Sequence, residues 1–119
     1  MKKNTIDLVS IEDPKAVRSE LRAALATITG KWKLEILWIL NQRLHRFGEL
    51  RRAIPEVTQH MLTAQLRELE RDGLVTRKVF AEVPPRVEYA ITDKARALRP
   101  VFEALFGWLK IRNAQKSRR

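Results

Sequence analysis

The sequence has no cysteine. A disulfide framework and a thiolate metal cage are therefore excluded, as is any sensing of signals by cysteine oxidation, and stability has to come from packing. Glycine is scarce, with 4 residues in 119, and none forms the glycine-rich loop that cradles a nucleotide phosphate. No nucleophile elbow and no paired carboxylates on a recognisable scaffold are present, so neither an enzymatic activity nor a cofactor is expected. His45 and His60 are the only histidines, and their spacing does not suit a shared metal. Long apolar runs are missing as well, which excludes a membrane-spanning helix. The start, Met1-Lys2-Lys3-Asn4, lacks the apolar stretch of a secretory signal, and a cytoplasmic location is expected.

What is present is positive charge. Lysine and arginine number 24 against 14 aspartates and glutamates, for a formal net charge of +10. Such a field favours a polyanionic partner, nucleic acid above all. Ribosomal proteins and membrane-surface binders share this balance, so the pattern along the chain has to decide. At 45% hydrophobic and 32% charged residues, the length suits one domain spanning 1–119 with a buried core.

Asp13-Pro14 opens a first helix by capping it and fixing its first turn, and Val17, Leu21, Ala24, Leu25 and Ile28 follow at helical spacing up to Gly30. The segment KWKLEILWILN then predicts a central helix, with Trp32, Ile36, Ile39 and Leu40 on one side and Trp32 its surest core member. After a break at Gln42 to His45, RFGELRRAI predicts a short helix with Phe47, Leu50 and Ile54 inward, stopped by Pro55. Thr58 caps a fourth helix over 58–72, with Leu62, Leu66 and Leu69 as its apolar stripe and Asp72-Gly73 as its exit. LVTRKVFAEV and VEYAIT alternate with period two around Pro84-Pro85-Arg86, which predicts a two-stranded hairpin. Thr92-Asp93 opens a long terminal helix that includes Ala95, and a basic KSRR end is expected to fray. A short helix, a turn, a capped helix with one polar face and then a hairpin is the order of a winged helix-turn-helix: mainly α, with a small β-hairpin wing.

GKWKLEILWIL, RFGELRRAIPEVTQHMLTAQLRELERDGLVTR and EVPPRVEYAIT, with the helix that follows as far as Leu109, occur in an order that resembles the HxlR family of bacterial transcriptional regulators, within the wider MarR-like winged-helix group. The likeness covers roughly residues 28 to 108. It implies a DNA-binding regulator that dimerises through its first and last helices. The cysteine that many members carry near the N-terminus is absent, Leu44-His45 replaces a Gly-Pro-like turn, Ala95 stands where a glycine is common, and His60 where lysine is common.

A helix in the major groove needs an apolar stripe against its own domain and donors and acceptors opposite. At about 100° per residue, His60, Ala64, Arg67 and Arg71 fall opposite the leucines, with Thr63 on the shoulder and Gln59 in the first turn. Gln59, His60, Thr63, Ala64 and Arg67 are the base-reading candidates; Gln suits adenine, Arg suits guanine, and the Ala64 methyl suits thymine. Most polar helix faces are merely solvated, and it is the ordered motifs that single this one out. Glu68, on the same side, would repel phosphate unless it pairs with Arg71 or Arg67. At the wing tip, 84–86, two prolines are expected to hold Arg86 out for a narrow minor groove. Lys78 and Arg77 alternate along the first wing strand, so only one faces DNA, and Lys78 is taken as that one. Phosphate contacts are assigned to Lys31 at the start of the second helix, where the backbone dipole helps, and to Arg46, Arg51, Arg52 and Arg71.

The terminal helix has more apolar residues than one buried face needs. A homodimer through 13–29 and 93–112 is expected, using Leu21, Leu25, Phe102, Leu105, Phe106, Trp108 and Leu109, around a DNA-binding core at 31–92 whose wing is 75–92. Double-stranded DNA carrying a palindromic operator is the expected partner. A small-molecule effector could enter the crevice between the dimerisation helices and the core. The competing reading is a basic winged-helix module for nonspecific nucleic-acid or protein binding.

Overall fold

The computed structural model describes residues 13–117; the expectations for Met1–Asn4 and for the end of the KSRR tail lie outside the described residues. Helix α1 (Pro14–Ile28) begins as its sequence predicts: Asp13 Oδ1 accepts hydrogen bonds from the backbone N–H of Lys15 at 3.2 Å and of Ala16 at 3.3 Å. None of its 15 residues is buried: Ile28 at its end packs against the core, while Leu21 and Leu25 are exposed.

Helix α2 (Lys33–Gln42) is the central helix and buries Ile36, Leu37 and Leu40. Trp32 departs from expectation. It precedes the helix in the left-handed conformation, φ 82°, and packs half-buried against the edge of the core. Gly30 does more than end α1: a Cβ there would stand 2.7 Å from Gln65 Oε1 and 2.8 Å from the Lys33 side chain, so the turn from α1 to α2 lies directly on the fourth helix.

Strand β1 (His45–Arg46) leads into α3 (Phe47–Ala53), which buries Leu50. Helix α4 (Gln59–Arg71) is capped by Thr58, whose Oγ1 accepts from the Met61 N–H at 3.1 Å, and it buries Leu62, Leu66 and Leu69 as the stripe predicts. Its exit requires Gly73, at φ 76°, which lets the Leu74 N–H turn back to the Leu69 carbonyl at 2.9 Å. Strands β2 (Val75–Phe80) and β3 (Arg86–Ile91) pair antiparallel from Val75 opposite Ile91 to Phe80 opposite Arg86.

The sheet has three strands, in the order β1-β3-β2, where the sequence predicted two. His45 pairs with Tyr89 and Arg46 with Glu88; two residues are too few to show a period-two pattern. The terminal helix also differs, divided into α5 (Asp93–Arg96) and α6 (Arg99–Ser117). Pro100 has no N–H to give the Arg96 carbonyl, so the helix cannot run through without a break. Thr92 caps α5 and ties its start to the exit of α4: its Oγ1 accepts from the Ala95 N–H at 3.2 Å and donates to the Gly73 carbonyl at 2.7 Å. Among the described residues no helix is long and apolar enough to cross a membrane.

Candidate nucleic-acid interface

Burial of Leu62, Leu66 and Leu69 turns the opposite side of α4 outward. Gln59, His60 and Arg67 are exposed, whereas Thr63 and Ala64 are half-buried on the shoulders. No other described residue forms an ion pair with Arg67. Arg71 is exposed near the helix end, its Nε 3.8 Å from Asp72 Oδ1, a loose pair that leaves the guanidinium free to move.

Glu68 finds its partner elsewhere than expected. Lys33, only 4% exposed, reaches from α2 and places Nζ 2.8 Å from Glu68 Oε1. This hydrogen bond and the ammonium charge hold the Glu68 carboxyl below its ordinary value, with a smaller contribution from Arg71. The carboxylate that would have opposed phosphate is thereby neutralised by a lysine of the core helix. Lys33 was legible only as a lysine among the apolar positions of α2, a pattern that asks for a buried counter-charge.

The wing sorts its basic residues between two faces and corrects one expectation. Register places Arg77 opposite Tyr89 and Lys78 opposite Glu88, so Arg77 shares the sheet face that meets α4 and Lys78 does not. Arg77 Nε lies 3.6 Å from Glu70 Oε1 on α4, while Lys78 Nζ lies 5.0 Å from the centre of the Phe80 ring on the other face. Arg77 therefore lies on the face toward α4 and Lys78 on the opposite one. Arg86 is not held out as expected. It is the first residue of β3 and folds back on Phe80, its guanidinium carbon 4.0 Å from the ring centre, with Glu82 and Glu88 each at 3.6 Å. Cation–π attraction and two carboxylates outweigh solvation of an extended side chain. Val83, fully exposed, leads the loop instead.

Other exposed cations lie on β1, on α3 and in the turn before α2. Arg46, Arg51 and Arg52 are exposed at the two ends of α3. The Arg46 backbone N–H donates to Glu49 Oε1 at 2.8 Å, which is the main reason the Glu49 carboxyl lies below its ordinary value. Lys31 is exposed in the turn ahead of α2, its Nζ 5.3 Å from the Trp32 ring centre. Because α2 starts at Lys33, Lys31 stands before the helix and not in its first turn.

Of the residues expected at a dimer interface, Leu21, Leu25, Leu105, Phe106 and Trp108 are exposed on α1 and α6. Leu109 is half-buried. Phe102 is a correction: it is 4% exposed and packs on Trp38 with ring centres 5.7 Å apart, so it anchors α6 to the core of its own chain. Val101 and Ile111 add to the exposed apolar face and were not singled out from the sequence.

The sequence of residues 27–117 matches the family model described as HxlR-like helix-turn-helix. The chain is similar to an HTH-type transcriptional regulator of Methanothermobacter thermautotrophicus, 47% identical over 91 residues, which covers 76% of this chain and 70% of that protein. It is also similar to the HTH-type transcriptional regulator YtcD of Bacillus subtilis, 43% identical over 96 residues and covering 81% and 76% of the two chains. Among solved structures, a MarR-family regulator from Enterococcus faecalis V583 superimposes with a TM-score of 0.76 at 42% identity, covering 92% of this chain and 98% of that one. The reduced form of the redox regulator HypR matches with a TM-score of 0.76 at 41% identity, covering 82% and 98%. With the family model matched over most of its length, the chain belongs to the HxlR-like helix-turn-helix family.

Proposed function

We propose that this protein is a transcriptional regulator that binds double-stranded DNA sequence-specifically in the cytoplasm as a homodimer. One observation carries the reading: α4 is a capped helix whose leucine stripe is buried while Gln59, His60 and Arg67 face out beside a wing, in a chain of a helix-turn-helix family. Helix α4 enters the major groove, where Gln59, His60, Thr63, Ala64 and Arg67 meet base edges. The wing tip, led by Val83, lies at the adjacent minor groove with Arg86 stiffening it from behind. Lys31, Arg46, Arg51, Arg52 and Arg71 contact phosphates and set the register. Residues 31–92 form the DNA-binding core, and the apolar faces of α1 and α6 join two copies, so that two recognition helices address half-sites about 34–36 Å apart or a multiple of that. A small molecule in the crevice between the terminal helices and the core is the effector class that fits, because the chain has no cysteine with which to read an oxidant.

A gel-retardation assay on DNA flanking the protein's own gene tests this. Retardation is expected to survive excess random competitor, and Arg67→Ala is expected to reduce the preference for the specific site by roughly 1–3 kcal/mol. Binding by the wild type that random DNA removes completely would leave only a nonspecific basic module.

A further inference from the structure

A cleft of about 140 Å³ lies between α4 and the base of the wing, lined by Thr63, Leu66, Arg67, Glu70, Arg77 and Tyr89. Its floor is apolar, formed by Leu66 and Tyr89, both buried. Two guanidinium groups and a hydroxyl stand on its walls, opposed by one carboxylate. Burial pushes the Tyr89 phenol above its ordinary value; the charge of Arg77 pulls it down, Glu70 raises it and Arg67 lowers it, and both cations line the same cleft. Arg77 is held only loosely. Its contact with Glu70 is 3.6 Å, longer than a hydrogen bond, and the two side chains are 48% and 40% exposed.

The position matters because of the shape of the duplex. A major groove and the minor groove next to it are separated by a single sugar-phosphate strand. If α4 occupies one and the wing tip the other, that strand has to pass between them, through this cleft. A planar guanidinium beside an apolar floor is the group best suited to grip a phosphate with two parallel hydrogen bonds. We propose that the cleft is a phosphodiester-binding site, in which Arg77, facing Thr63 and Arg67, takes one backbone phosphate of the bound duplex, and that Glu70 is the resident counter-charge the phosphate displaces. This rests on the DNA-binding reading and adds to it a site that belongs to neither the helix nor the wing alone.

The test is fluorescence anisotropy with labelled duplexes, one carrying the specific site and one random, over a salt series of about 50 to 200 mM. Arg77→Gln is expected to weaken binding on both duplexes alike and to reduce the slope of log affinity against log salt by about one unit. Arg77→Lys is expected to restore the slope, because the charge returns, but not the full affinity. Glu70→Gln is expected to bind both duplexes several-fold more tightly than wild type. Wild-type binding with an Arg77→Gln slope and affinity unchanged would overturn the site while leaving DNA binding intact. Failure of the wild type to bind either duplex would overturn the DNA reading and the site with it. Thermal stabilisation by inorganic phosphate that Arg77→Gln abolishes, with its DNA affinity unaltered, would assign the cleft to a free anion and overturn the duplex backbone as its ligand.

Discussion

Trp108→Ala probes the proposed dimer where the structure allows a magnitude to be worked out. Trp108 is 54% exposed on α6, which for a side chain of roughly 250 Å² leaves ~135 Å² of largely apolar surface in water. If a second copy covers half of that, about 70 Å² is removed from water per chain, contributing about 1.7 kcal/mol at ~25 cal/mol per Å². A two-fold interface counts the residue twice, so the variant is expected to lose about 3.4 kcal/mol of association, or about 300-fold in dissociation constant. The fold should survive, since the ring's close polar neighbour is Arg112, 5.7 Å from its centre, and Trp108 is outside the core. Sedimentation equilibrium over a concentration series reads the constant directly, and thermal unfolding at a concentration where both proteins are monomeric checks the fold. A dissociation constant within about threefold of wild type would refute the placement of this face in a dimer.

Two further perturbations test the core and the recognition helix. Leu62→Ala, at a side chain with no exposed surface, is expected to cost about 2–5 kcal/mol in urea unfolding with the slope unchanged, and a loss under about 1 kcal/mol would mean that α4 is not anchored by its leucine stripe. Acid should weaken the clamp between α2 and α4. The folded pKa of Glu68 lies below the ordinary value of 4.5, so its contribution is fully present above that pH and is lost as pH falls through the depressed folded value. Glu68→Gln is expected to be less stable than wild type at neutral pH and to show a shallower decline in acid; parallel pH profiles for the two proteins would remove the Lys33 contact from the account.

Most helices were legible in the sequence because their signals are local. Asp13-Pro14, Thr58 and Asp72-Gly73 mark boundaries that the backbone then follows, and the leucines of α4 repeat at a spacing that only a helix brings to one side. What escaped depended on partners distant in sequence. Strand β1 exists because His45 and Arg46 pair with Tyr89 and Glu88, and nothing in a two-residue stretch announces that. The pairing of Glu68 followed helical spacing in expectation, yet its partner is 35 residues away at Lys33. Which of Arg77 and Lys78 lies toward α4 depends on cross-strand register: once Arg77 is opposite the buried Tyr89, alternation puts Lys78 on the other face. Arg86 was misjudged because the aromatic ring of Phe80, directly opposite it on β2, was not weighed against solvent. Phe102 was grouped with the exposed face of α6 because helical spacing does not show that Trp38 lies beneath it.

The helix proposed to read DNA and the helix proposed to dimerise meet at one structural point. Gly30 packs its backbone against Gln65 of α4, and Lys33 grips Glu68 one turn further along. The turn leaving α1 is thus in contact with the helix proposed to read DNA. In the proposed dimer, a change in how α1 and α6 seat would have a short route of packed atoms to α4.

Selection of bound duplexes from a random pool, followed by sequencing, tests the central claim most directly. The account predicts enrichment of an inverted repeat whose half-site centres are about 10 base pairs apart or a multiple of that, with one or more positions losing their preference when Arg67→Ala is selected in parallel. A pool that emerges without sequence enrichment, although the protein retains DNA on the column, would contradict sequence-specific recognition by α4.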